Sequence, residues 1–306
     1  MTSPPSPGGA LPLSNASLAL GGRKQAFVAL LELTKPSITA LVMVTMLSGA
    51  LVTPASVDAL RLLAALFSTA CVVGSANAFN MWLERESDAL MARTRRRPLP
   101  SGRLAPELAL AFAAMLAVVG LTLLATLVGS LAALLGWLAL CSYVLAYTPL
   151  KRVTTWALHV GAVPGAIPPL IGSASVSGTI SDEALILFSF LLVWQLPHFL
   201  AIATFRAPEY ARAGLKVLPN TAGRRATERA IIVYSLSLLV IALAPALMGI
   251  AGSGYAAVAL LSSLAFVGCA VHGRGSRAPE RWARRLFVAS MPYLVVIYAA
   301  FVFSRS

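Results

Sequence analysis

The sequence predicts an all-α polytopic membrane protein with nine transmembrane helices, and three observations carry that reading. The 306 residues are 58% hydrophobic and only 11% charged, where a soluble domain averages about 25% charged. Apolar runs recur at 38–53, 60–80, 105–125, 129–147, 155–175, 184–204, 229–248, 252–271 and 285–303, and a bilayer-spanning helix needs roughly 20 residues. The basic residues then sort by side. Lys and Arg gather in cytoplasmic loops; with the N-terminus inside, all of the 24 Lys and Arg except Arg61 and Arg305 fall there. The N-terminus is thus expected in the cytoplasm and the C-terminus in the periplasm. The formal net charge of +13 is explained by this topology and calls for no nucleic acid.

Residues 1–22 are rich in Pro, Gly, Ser and Ala and lack a positive stretch ahead of an apolar core. They match neither a signal peptide nor an Arg-rich transit peptide and read as a disordered cytoplasmic tail. That leaves 23–306 as one membrane domain, with a bacterial cytoplasmic membrane as its expected location. The connections between spans 3 and 4, 5 and 6, and 7 and 8 contain no Lys or Arg. Two longer loops, about 84–104 and 205–228, each follow an even-numbered span and mix carboxylates with arginines. Span 5 contains "GAVPGAIPPLIG", where Pro164, Pro168 and Pro169 should break or kink the helix. A break within a bilayer survives only where protein or a cavity covers the freed backbone groups, so a cavity alongside span 5 is expected. Cys71, Cys141 and Cys269 all lie in apolar spans at spacings that suit small hydrophobes, not metal ligands or disulfides.

The charge is concentrated in "NMWLERESDALMARTRRRPLP", which starts at Asn80. Asn80, Glu84 and Asp88 are spaced i, i+4, i+8 and form one stripe of oxygen donors if the helix of span 2 continues past the membrane face. Glu86 lies on another face and reaches the stripe only if the helix ends there. Carboxylates one turn apart repel unless cations sit between them. Mg²⁺ suits the pattern, because it binds through one or two carboxylates and takes phosphate oxygens as further ligands. Arg93, Arg95, Arg96 and Arg97 follow, and guanidinium forks match phosphate oxygens. Arginines just inside a membrane are ordinarily topology anchors and headgroup contacts, but that reading leaves Glu84 and Asp88 unexplained.

The stretch resembles the first Asp-rich motif of the UbiA superfamily of intramembrane prenyltransferases, and most closely its haem O synthase branch. Also similar to that branch are "LTKPSIT" (33–39), "YTPLKR" (147–152), "GAIPPLIG" (165–172), "WQLPHF" (194–199), "EYARAGLKVLP" (209–219) and "RWARRLFVAS" (281–290). The resemblance implies a UbiA-like helical ring that transfers farnesyl from farnesyl diphosphate to a vinyl group of haem b, with water addition. It implies Mg²⁺ on Asn80, Glu84 and Asp88, and a second ion on Glu209. Arg93, Arg97, Lys151, Arg152 and Arg212 would steady the departing diphosphate, with Tyr147 beside them and His198 on the acceptor side. Haem A synthase or a terminal oxidase assembly system would be the partner downstream. Glu84, Glu86 and Glu209 stand where the family has Asp, Lys216 where it tends to have Pro, and Ala157 where Asn is common.

His198 lies within span 6, where a polar side chain is costly and often functional. It could meet haem iron or a propionate, or simply pack against a neighbouring helix. His159 at the start of span 5 divides evenly between those readings, and His272 is interfacial. Two rivals remain at this point: a prenyltransferase acting on an aromatic quinone precursor, and a transporter, which a broken span and intramembrane histidines also suit. Transporter ion sites lie near the midplane, however, whereas the acidic residues here sit at span ends or in loops.

Overall fold

The computed structural model describes residues 25–275 and 277–305, and within them every regular element is helical. The predicted tail, 1–22, lies outside the described residues. The chain opens with α1 (Gln25–Leu33), bent by 43° onto α2 (Pro36–Val52). Pro36 starts α2 at a position where its missing N–H costs nothing, and Lys35 before it takes a positive φ of 48°. Span 2 is α3 (Ala59–Leu83), capped by Asp58, whose carboxylate accepts from the Leu60 and Arg61 amides. The short α4 (Arg85–Ala89) follows directly.

Span 3 is α5 (Pro106–Leu123) with a π-helical turn at Leu124–Val128, and span 4 is α6 (Ser130–Cys141) with a second at Ser142–Tyr147, then α7 (Thr148–Leu150). The Arg61 guanidinium donates to the Val128 carbonyl where the first π turn meets Gly129, whose φ is 141°. Arg61 therefore has a structural partner at the end of the molecule that also carries Asp58 and Asp182. Span 5 comprises α8 (Ala157–Ala166) and α9 (Pro168–Ser177), and span 6 is α10 (Asp182–Phe205), capped by Ser181. The loop after it carries α11 (Ala207–Arg212) and α12 (Leu218–Thr221). Spans 7 to 9 are α13 (Gly223–Leu247), α14 (Ser253–His272) and α15 (Pro279–Arg305).

Eight helices are long and apolar enough to cross a membrane, nine if α1–α2 counts as one span. That matches the nine expected. Three starts move most: α13 begins at 223 and α15 at 279, six residues ahead of the apolar runs that began at 229 and 285, and the bent α1–α2 pair begins at 25, thirteen ahead of 38. Hydropathy marks the lipid boundary, while the helix continues through the charged turn beyond it.

Span 5 is the most enclosed, with 72% of its apolar window buried. The chain breaks at Ile167, ahead of Pro168 and Pro169, while Pro164 is absorbed within α8. On the α2 side the expected cavity is replaced by backbone contact. A Cβ on Gly49 would collide with the Pro169 carbonyl, and one on Gly172 with the Met46 carbonyl. Small residues permitting such approach are how membrane helices pack without a hydrophobic driving force between them. A large apolar cluster joins α10, α13, α14 and α15, and a second joins α2, α3, α6 and α9. The exposed apolar side chains, among them Leu60, Phe67, Val118 and Leu145, form the lipid-facing exterior.

Candidate active site

α3 ends at Leu83, yet the helical register survives the break. The Glu84 amide donates to the Asn80 carbonyl (2.9 Å) and the Asp88 amide to the Glu84 carbonyl (2.8 Å). Asn80, Glu84 and Asp88 therefore share one face, as their spacing predicts. Glu86 does not swing inward: its side chain is 79% exposed and pairs loosely with Arg85.

Each member of the stripe meets a cation. Lys151 Nζ is 2.7 Å from Glu84 Oε1, and Arg97 donates to Asp88 Oδ2 at 2.6 Å. Lys35 Nζ donates to Asn80 Oδ1 at 3.3 Å, and Asn80 Nδ2 donates to Thr148 Oγ1 at 3.2 Å. Asn80 and Asp88 are 2% and 1% exposed. Burial pushes the Asp88 carboxyl above the usual carboxylate range despite the pull of Arg97. Lys35 also lies within electrostatic reach of Arg97, Lys151, Glu84 and Asp88, so the six side chains form one cluster.

The second π turn prepares this site. It ends at Tyr147, whose ring lies under the Lys151 ammonium, 4.3 Å from centroid to nitrogen. π-helical turns recur at functional sites because the extra residue re-aims side chains. Tyr147 in turn occupies the space beside Gly161 of α8, where a Cβ would strike the ring.

The loop after α10 approaches the same place. The Lys216 amide donates to the Lys151 carbonyl at 2.8 Å, while the Lys216 side chain is exposed. Tyr210 lies within electrostatic reach of Arg93, Tyr147 and Lys151, and burial raises its phenol pKa. Glu209 itself turns to Arg206, 2.8 Å away. Among the described residues no three His, Cys, Asp or Glu side chains converge on one point. Arg93, Arg152 and Arg212 are exposed, and Arg93 lies within electrostatic reach of Tyr210.

His198 sits elsewhere, in the seam between α10 and α15. Its Nδ1 hydrogen-bonds Ser290 Oγ at 2.7 Å, and its ring stacks on Trp194, whose Nε1 donates to the Ser290 carbonyl. His159 Nε2 bonds the Tyr234 hydroxyl at 2.7 Å, beside Trp156. Neither histidine touches the charged cluster. Lys35, Thr148 and Tyr210 are the residues that sequence reasoning missed. A lysine directly before the proline that opens a span was the available signal for the first.

The donor set is hard and all-oxygen. Glu84, Asp88 and Asn80 suit Mg²⁺, and each carboxylate keeps one oxygen outside its ion pair. The facing Lys35, Arg97 and Lys151 suit an anion. Such a cluster can take a metal-bridged diphosphate by exchanging internal ion pairs for external ones.

Comparison with known proteins agrees. Residues 41–291 match the UbiA prenyltransferase family. A protoheme IX farnesyltransferase of Sorangium cellulosum is 48% identical over 246 residues, covering 80% of this chain and 88% of its own length. That of Myxococcus xanthus is 44% identical, covering 90% and 94%. Among solved structures, one of digeranylgeranylglyceryl phosphate synthase superposes with a TM-score of 0.78 at 17% identity, over 92% of this chain and 98% of that one. A UbiA homolog from Archaeoglobus fulgidus bound to DMAPP and Mg²⁺ gives 0.69 at 13%, over 89% and 98%. With a ring of spanning helices, an oxygen-donor stripe at the end of span 2 and a family match over most of its length, this chain belongs to the UbiA prenyltransferase family.

Proposed function

We propose that this membrane enzyme transfers the farnesyl group of farnesyl diphosphate to a vinyl group of protohaem IX, giving haem O. The observation that carries the acceptor is the 44–48% identity to protoheme IX farnesyltransferases over most of the chain. The family membership removes the transporter reading. The structure of a homolog with DMAPP and Mg²⁺ supports a divalent metal on Asn80, Glu84 and Asp88. When bound, that ion supplies Lewis acidity to the leaving diphosphate.

Lys151, Arg97 and Lys35 then do what the rest of the chemistry needs. As the C1–O bond of the farnesyl chain breaks, its electron pair leaves with the diphosphate, and these cations stabilise the charge that accumulates there. Arg93, Arg152 and Arg212 meet the diphosphate at the rim. The vinyl π pair attacks C1, and the cation formed beside the porphyrin ring takes up water and loses a proton. Burial of Asn80 and Asp88 limits the access of bulk water to the allylic cation. Glu209 serves a second metal position once released from Arg206, and His198 serves the acceptor through its remaining ring nitrogen, Nε2. The product goes on to haem A synthase or a terminal oxidase assembly system. The charged end faces the cytoplasm, with the N-terminus inside and the C-terminus in the periplasm.

Pigment analysis of membranes expressing the chain tests this directly. Haem O should accumulate, and Glu84→Gln or Asp88→Asn should cut its formation by about 100-fold or more with the protein still inserted. A prenylated aromatic product without haem O would move the acceptor to a quinone precursor.

A further inference from the structure

Away from the charged cluster, a cavity of about 230 Å³ opens between the start of α13 and the end of α14, lined by Arg225, Glu228, Arg229, Arg274 and Gly275. Its one carboxylate is committed. Glu228 is 6% exposed; its Oε1 accepts from Arg224 Nε at 2.6 Å and its Oε2 from the Gly275 amide at 3.4 Å. That second bond ties the turn after α14 to α13, with Gly275 at a positive φ of 73°, and so brings Arg274 to the rim beside Arg225 and Arg229. Among the described residues these three guanidiniums have no carboxylate within ion-pairing distance.

We propose that this cavity binds the phosphodiester headgroup of an anionic phospholipid. Unpaired guanidinium forks are suited to phosphate oxygens, and a basic pocket between spanning helices is where such headgroups bind. The choice of a lipid over a soluble phosphate rests on what lies below. At 100° per residue, Arg225, Arg229, Val233, Leu236 and Val240 fall on one helical face about 80° wide. Val233, Leu236 and Val240 are 57%, 46% and 67% exposed. The arginines therefore stand at the head of a lipid-facing apolar track, placed to hold the phosphate while acyl chains lie along α13. A soluble anion would make no use of that track.

The test is native mass spectrometry and thermal unfolding of the full purified chain in neutral detergent. The additives are phosphatidylglycerol, phosphatidylcholine or inorganic phosphate. Phosphatidylglycerol should remain bound one to one and raise the melting temperature, with phosphatidylcholine and phosphate each doing neither. The R225Q/R229Q/R274Q variant should lose the preference for phosphatidylglycerol, its affinity falling about ten-fold or more. R229Q alone should lose part of it, which serves if the triple variant does not fold. R277Q/R281Q/R285Q, removing the same charge from outside the cavity lining, should keep the preference. Equal retention of both lipids, or equal loss in the two triple variants, would overturn the proposal by reducing the cavity to general surface charge. Protection by inorganic phosphate matching that by phosphatidylglycerol would overturn the lipid assignment.

Discussion

Asp88 stands almost wholly inside the protein with one guanidinium for company, and that makes Arg97 the more consequential member of the pair. Removing one partner of a buried ion pair strands the other charge and typically costs about 3–5 kcal/mol. Arg97→Met should therefore lower the unfolding temperature markedly, and adding Asp88→Asn to it should recover much of the loss; thermal unfolding of the single and double variants in one detergent measures both. Recovery by the double variant is the informative result, because a mere packing defect would not be relieved. At this scale the sequence was legible where residues lie close along the chain. The i, i+4, i+8 spacing placed Asn80, Glu84 and Asp88 on one face without any structure. Lys35, Thr148 and Tyr210 were not legible, since each reaches the cluster from a distant segment through the fold alone. Lys35→Met should raise KM for farnesyl diphosphate by about 10- to 100-fold, in keeping with one lost charge-assisted hydrogen bond of about 1.5–3 kcal/mol; steady-state kinetics with KM unchanged would remove it from the site.

Helices meet here through glycine, and the positions differ in what they hold apart. Gly49 and Gly172 lie where α2 and α9 touch backbone to backbone, so a side chain must separate the helices themselves. Gly161 has the Tyr147 ring, a side chain that can move, as its nearest neighbour. Gly172→Leu should accordingly destabilise the folded protein by at least the about 1–3 kcal/mol of overpacking. Gly161→Val should spare stability more and instead displace Tyr147 from beneath Lys151, lowering prenyl transfer. Comparing melting temperature against turnover for the two variants separates these effects. Span number and order were readable from hydropathy. The π turns in spans 3 and 4 were not, because one extra residue in a helix leaves apolar composition unchanged. Span 5 shows the same limit: three prolines announce a break, but only the fold reveals that Pro164 is accommodated and that the break falls at Ile167.

Across the whole molecule, the charged cluster and the loop after α10 lie at one end, while Arg61 sits at the opposite end of α3, bonded to the Val128 carbonyl. The fold class followed from composition and loop charge because a bilayer leaves few alternatives for satisfying a backbone. The side on which each end lies is open to experiment. A membrane-impermeant maleimide should label Thr179→Cys on intact cells and Ser101→Cys only after permeabilisation; the reverse pattern would invert the topology.

The pairing of each carboxylate with its own internal cation has a thermodynamic corollary. If Lys151 and Arg97 turn to a diphosphate, Glu84 and Asp88 are left as uncompensated negative charges unless an ion takes their place. Diphosphate and metal must then bind with positive, reciprocal cooperativity, and chelation should weaken farnesyl diphosphate binding by roughly 10-fold or more. The same reasoning gives the inactive variants an unexpected gain. Glu84→Gln with Asp88→Asn releases both cations beforehand, so this protein should bind farnesyl diphosphate in the presence of EDTA at least as well as the parent does, although it turns none over. Calorimetric titration of both proteins with and without EDTA measures that inversion, in which the loss of catalysis is accompanied by the loss of metal dependence in binding.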